Sequence, residues 1–196
     1  MTELLIVTVK NPELGKVKTR LAKDLGEERA LDIYKKLLEK TRRTVEGLPF
    51  SKAIYYSSFV DLCDEWDNDS YIKRLQSEGD IGQRMSEAIG EALSDGFAKV
   101  CLIGSDIYEI SAEVIHDAFR LLETHDVVVG PAKDGGYYLI GMKKHYDHIF
   151  NISKWSTDQV LAETIVQIKS LGLTWTTTDV LSDIDYMEDL NGTGLL

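Results

Sequence analysis

Four short segments hold the side chains best suited to chemistry, and each follows or adjoins a run that reads as a strand. In residues 11–20 (NPELGKVKTR), Gly15 permits a tight turn, while Lys16, Lys18 and Arg20 supply cations able to hold phosphate oxygens. A solvated basic loop is the plain alternative, since the segment lacks the glycines of a GxxxxGK[ST] loop. In residues 103–106 (IGSD), Asp106 comes just past a buried apolar strand, a costly place for a carboxylate unless it is hydrogen-bonded or binds a cation. Magnesium uses one or two protein carboxylates and takes its remaining ligands from water and phosphate. A turn or helix-capping aspartate before Ser111 is the other reading.

Residues 130–138 (GPAKDGGYY) set Gly135 and Gly136 after Asp134, so the backbone can approach a ligand closely and offer N–H donors. Asp-Gly is also a strong hairpin dipeptide. In residues 182–185 (SDID), an extended backbone puts Asp183 and Asp185 on one side, where a shared cation would relieve their repulsion. An acidic solvated tail competes with that reading. His145 and His148 lack the partners of a zinc site. Trp155 suits either a pocket wall or the core.

These segments need elements to position them. Residues 4–9 (LLIVTV), 53–56, 99–103, 126–129, 137–142 and 173–178 read as strands. Residues 28–45, the stretch around Met85 to Leu93, and a stretch capped by Ser111 carry helical apolar spacing. Ser156 with Gln159 forms a capping-box pattern opening a further helix, stopped by Gly172. The acidic stretch up to Asp80 reads as surface loop with a short helix. Alternating strands and helices, with strands apolar on both faces, predict an α/β fold. Ligands of such sheets gather beyond the carboxyl ends of the strands.

A chain of 196 residues with no linker or repeat reads as one domain over residues 1–196. Its net charge of −11 argues against nucleic acid, although local cations suffice for a small phosphorylated ligand. No run is apolar enough to span a membrane, and the N-terminus has no basic region of a signal peptide. Two cysteines, Cys63 and the core-like Cys101, fit a reducing cytoplasm.

Taken in order, the segments PELGKVKTRLA, QSEGDIGQRM, IGSD, GPAKDGGYYLIG and DID resemble a bacterial family of glycosyltransferase-A-fold proteins. That family lies within the nucleotide-diphospho-sugar transferase superfamily and is more distantly similar to 2-phospholactate guanylyltransferase. The resemblance implies a three-layer sandwich around a mostly parallel sheet. It implies a transferase that moves a nucleotidyl or glycosyl group from a nucleoside triphosphate or nucleotide sugar to a small-molecule acceptor. Gly15, Lys16, Lys18 and Arg20 would contact donor phosphates. Gln76, Gly79, Asp80, Gly82 and Arg84 would flank the nucleotide. Asp106, with Asp183 and Asp185, would hold Mg2+ or Mn2+, and Lys18, Arg20 and Asp106 would be catalytic. Asp134, Gly135 and Gly136 would face the acceptor. Ser105 replaces the usual threonine, and Ile107 follows the aspartate where relatives commonly have proline. A non-catalytic nucleotide-binding or assembly module is the competing reading, and association of copies of the chain stays open.

Overall fold

The computed structural model describes residues 2–196. Short β-branched and aliphatic runs form β1 (Glu3–Val9), β2 (Ser51–Tyr56), β4 (Lys99–Gly104) and β5 (Val127–Pro131). The remaining strands are β3 (Ile72–Leu75), β6 (Tyr137–Met142) and β7 (Trp175–Thr177). They join in one sheet of order β3-β2-β1-β4-β6-β5-β7. Only β6 runs against its neighbours, β4 and β5; every other pairing is parallel. The carboxyl ends of β1, β4 and β5 therefore share one edge with the start of β6.

Side chains alternate across the pleat and fill a core on each face. Leu5, Val7, Cys101 and Ile103 pack against α2 (Glu27–Glu46) and α4 (Ala112–Leu121) through Val45, Ile115 and Phe119. Leu4, Ile6, Val100 and Leu102 face α3 (Ile81–Ser94) and α5 (Val160–Ser170) through Ala88, Ile89 and Ile168. The result is the three-layer α/β/α sandwich expected from the sequence. A third apolar cluster joins α1 (Thr19–Leu25) and α2 to the C-terminal tail, with Leu21, Ile33, Ile184 and Leu190 all buried. Among the described residues no helix is long and apolar enough to cross a membrane. Cys63 is exposed, Cys101 is buried, and both are free thiols.

Two local expectations fail. The acidic stretch before Asp80 contains no helix; it contributes β3, an edge strand exposed at Ile72 and Leu75 and partly buried between them. Its sequence, IKRL, lacks an apolar face because only one neighbour covers it. The capping box at Ser156 does not form either. Ser156 adopts φ 61°, and α5 starts at Val160 after an uncapped Gln159. A first-turn donor of α5, Leu161 N–H, bonds instead to the carbonyl of Gly135 in the β5–β6 hairpin, at 2.9 Å.

Gly141 in β6 lies opposite Cys101, and a methyl group there would stand 2.7 Å from Cys101 Sγ. Gly141→Ala should therefore cost about 1–3 kcal/mol of stability through overpacking. In urea unfolding, Cys101→Ala added to Gly141→Ala should recover part of that loss. Losses that simply add would discount the steric clash.

Candidate functional site

Lys18 is where the basic loop enters the site. It precedes α1 with φ 46° and ψ 44°, a left-handed conformation that costs a side-chain-bearing residue about 1–2 kcal/mol. Its side chain is only 4% exposed and turns inward. The ammonium donates to Asp106 Oδ2 at 2.8 Å and to Asp185 Oδ1 at 3.1 Å. Arg20 donates to the other oxygen of Asp185 at 2.8 Å and lies over the Tyr186 ring. Burial works to lower the Lys18 pKa, but the two carboxylates outweigh it and hold the ammonium above the usual lysine range. Asp106 mirrors this. Burial would raise its carboxyl, yet the Lys18 charge and hydrogen bond keep it below the normal range.

The loop bearing Asp106 is fixed from α2 and from the tail. Tyr34 Oη lies 3.3 Å from Ser105 Oγ and donates to the Lys10 carbonyl, while Thr41 Oγ1 donates to the Ser105 carbonyl. Ile184 N–H donates to the Asp106 carbonyl. The tail is held in turn by a parallel bridge between Leu181 and Ala132, and by Asp189, which accepts from the amides of Asp185 and Tyr186. With Ile184 buried between them, Asp183 and Asp185 point toward the site.

Asp183 has no cation of its own. Burial first, then the Asp134, Asp185 and Asp106 carboxylates, push its pKa up to about 6.

Along this edge runs a groove in two arms that meet at Thr8, Ile81, Met85, Gly104 and Asp106. One arm, of about 210 Å³, is bordered by Lys10, Ser57, Gln76 and Arg84. Arg84 has a buried Nε without a hydrogen-bond partner. The other arm, of about 250 Å³, is bordered by Asp134, Gly136, Tyr137, Trp155, Ser156 and Asp183.

The structure thus brings Asp106, Asp183, Asp134, Gly136, Gln76 and Arg84 onto the groove, with Lys18, Asp185 and Arg20 behind Asp106. Other residues singled out in the sequence have local tasks. Lys16 pairs with Glu13 at an exposed turn, and Gly15 adopts φ 75° beside the Glu27 carboxylate. Asp80 caps α3 in a reciprocal capping box with Gln83, preceded by Gly79 at φ 110°. Gly82 packs under Trp155, where a methyl would stand 2.4 Å from Cζ2. Gly135 adopts φ 88°, with the Asp158 backbone 2.2 Å from where a Cβ would be. Lys10, Thr8, Ser57 and Tyr34 were not singled out. Lys10 and Ser57 follow predicted strands, and that position could have marked them; Tyr34 reads only as a helix-face residue.

Hard carboxylate oxygens crowded without enough cations suit a divalent ion such as Mg2+ or Mn2+. Among the described residues no three His, Cys, Asp or Glu side chains are gathered closely enough to enclose an ion alone. A metal on Asp106 and Asp183 would complete its shell with water and ligand oxygens.

The crowding at Asp183 costs stability. Its pKa is raised from 3.8 to about 6, so folding is penalised while it is ionised, above pH 6, and the penalty fades as pH falls toward 4. Asp183→Asn should stabilise the metal-free protein at pH 7.5 by about 1–2 kcal/mol, a figure discounted for partial solvent access. At pH 4 the gain should vanish. Thermal unfolding in chelator at both pH values measures it, and a loss of stability at pH 7.5 would contradict the crowding.

Comparison with known proteins bears on the fold that carries this site. The chain shares 29% identity and a TM-score of 0.87 with a Desulfovibrio desulfuricans protein provisionally assigned as a nucleotide-diphospho-sugar transferase, covering 95% of this chain and 84% of that one. Inositol-1-phosphate CTP transferase from T. maritima aligns over 99% of this chain and 94% of its own, at 15% identity and a TM-score of 0.67. For 4-diphosphocytidyl-2C-methyl-D-erythritol synthase from Anaerococcus prevotii the values are 98%, 94%, 13% and 0.61. At such identities these two show a shared fold. No curated protein sequence matches the chain. Residues 52–157 match a family described as "Uncharacterized protein conserved in bacteria (DUF2064)". The chain belongs to this family and has the nucleotide-diphospho-sugar transferase fold.

Proposed function

We propose that the protein is a metal-dependent transferase that takes a nucleotidyl or glycosyl group from a nucleotide donor and passes it to a small-molecule acceptor. The observation that carries this reading is the meeting of Asp106 and Asp185 on the Lys18 ammonium, with the unpaired Asp183 near them, at the junction of a two-armed groove. The relatives named as transferases support it at the level of the fold.

The arm with Lys10 and Arg84 suits the donor. Its two cations and the unpartnered Arg84 Nε offer charge-assisted hydrogen bonds to phosphate oxygens. Lys18, bonded to Asp106 from behind the junction, would lend its positive charge to the same phosphates. Arg20 keeps Asp185 in place. Asp106 and Asp183 would hold Mg2+ or Mn2+, which when bound would neutralise charge on donor phosphates and on the leaving group. Two reactions fit. An acceptor phosphate oxygen can bond to the α-phosphorus of a nucleoside triphosphate as the bond to pyrophosphate breaks. Alternatively an acceptor hydroxyl oxygen bonds to the sugar carbon as its bond to phosphate breaks; nucleoside diphosphate leaves and the hydroxyl proton passes to a carboxylate or water.

Calorimetric titration of nucleoside triphosphates and nucleotide sugars, with and without Mn2+, tests the reading. Asp106→Asn should lose at least about tenfold of the metal-dependent affinity, equivalent to ~1.4 kcal/mol. Its fold should persist by circular dichroism. Undiminished binding would remove the metal role from Asp106.

Lys18→Ala should weaken triphosphate binding by about 10- to 100-fold, the scale of a lost charged hydrogen bond. Nucleoside binding should change by less than about threefold. Equal losses would make Lys18 a purely structural lysine. Metal-dependent binding without product from any acceptor would favour a non-catalytic module.

A further inference from the structure

The two arms of the groove differ in charge, and the difference bears on the acceptor. The donor-side arm has Lys10 and Arg84 against one carboxylate, Asp106. The other arm has Asp106, Asp134 and Asp183 on its border and no lysine, arginine or histidine at all. Its remaining surface is largely aromatic and aliphatic. Trp155 lies over Gly82 and meets Tyr137 edge-on, with ring centroids 6.4 Å apart. Asp134 is fixed in this arm by accepting from Gly136 N–H at 2.8 Å, so its carboxylate cannot easily turn away.

A phosphate ester entering this arm would find no cation on its border and three carboxylates, of which only Asp106 is paired with Lys18 behind it. Even a divalent ion on Asp106 and Asp183 would be shared with donor phosphates, and Asp134 would remain. Like-charge contact of this kind is repulsive and excludes wrong partners. A ring or short aliphatic face, by contrast, can lie on Trp155 while hydroxyl or amine donors reach Asp134.

Resting on the transferase reading, we propose that the acceptor is a non-phosphorylated molecule, uncharged or amine-bearing, with an apolar ring face that packs on Trp155. An acceptor of this class brings no phosphate nucleophile. Of the two reactions above, it fits transfer of the sugar to an acceptor hydroxyl.

Three probes with the same ring separate the cases: phenyl β-glucoside, phenethylamine and phenyl phosphate. Each is titrated into the full chain with Mn2+ while the indole N–H signal of Trp155, assigned by Trp155→Phe, is followed by NMR. Donor nucleotides are titrated into the same preparation by calorimetry. The glucoside and the amine should each shift the Trp155 signal saturably, at least about tenfold more tightly than phenyl phosphate. Asp134→Asn keeps a carbonyl for the Gly136 amide and removes the charge, so it should narrow the gap between glucoside and phosphate by about threefold or more. Phenyl phosphate binding as tightly as the others would overturn the proposal, and so would a Trp155 signal that none of the three moves. Absence of donor binding with the probe order intact would sink the transferase reading, and with it the acceptor role, while leaving the ligand preference of this arm standing.

Discussion

The ion-paired ammonium of Lys18 is the contact on which the site depends. It joins Asp106, 88 residues away, to Asp185, 167 residues away, and so closes the C-terminal tail onto the first loop of the chain. Carboxylates drawn together near an apolar core repel each other unless a cation lies between them. A low-exposure ammonium with hydrogen bonds of 2.8 and 3.1 Å supplies that cation, and because both carboxylates are partly open to solvent its removal costs less than the ~3–5 kcal/mol of a fully buried pair. Leu21, next to Arg20, and Ile184, next to Asp185, are buried together in the third apolar cluster and anchor the two segments that the pair joins. Electrostatics and burial here reinforce each other.

Strain is concentrated in the same place. Among the described residues, Lys18 and Ser156 are the two non-glycine positions with positive φ; Ser156 borders the groove and Lys18 lies behind Asp106. Backbone conformations of this kind persist where surrounding contacts overdetermine them. At Lys18 the two ion pairs do so. At Ser156, the neighbouring turn is pinned by α5, whose first turn bonds to Gly135. Asp183 adds uncompensated charge. The wide, fully apolar sheet faces provide the stability that lets these costs be carried.

Much of the fold was legible because the central strands are buried on both faces and read as continuous apolar runs. The 137–142 strand matches β6 residue for residue, and Ser111 caps α4 as its type suggests. β3 was not legible, since an edge strand bearing Lys73 and Arg74 has no buried face to write an apolar pattern. The Ser156 capping box misled because its spacing is local, while the donors of α5 are satisfied by a distant hairpin. In the site, Asp106, Asp183 and Asp185 could be picked out by chemistry, and the structure brings them to one place. That the cation between Asp106 and Asp185 is Lys18 itself was not legible, because pairing across 167 residues leaves no spacing in the sequence. Lys16 illustrates the converse. Beside Lys18 in type and spacing, it faces solvent, because alternate residues of a loop do not share a direction.

The segment QSEGDIGQR shows why a motif can carry several constraints at once. Gln76 donates to the carbonyls of Val9 and Tyr55 and so binds the ends of β1 and β2 together beside the donor-side arm. Asp80 and Gln83 fix where α3 begins. One turn later Arg84 borders the donor-side arm, while Gly82 leaves room for Trp155 in the other. The first turn of α3 thus supports both arms from a single rigid element. A shift of its start by one residue would rotate Arg84 away from its arm by about 100°. The same rotation would carry Gly82 from under Trp155, so the two arms cannot be varied independently through this segment. A groove residue, a helix cap and a steric allowance are therefore written into nine consecutive positions, because the helix that positions Arg84 on one arm also sets the wall of the other.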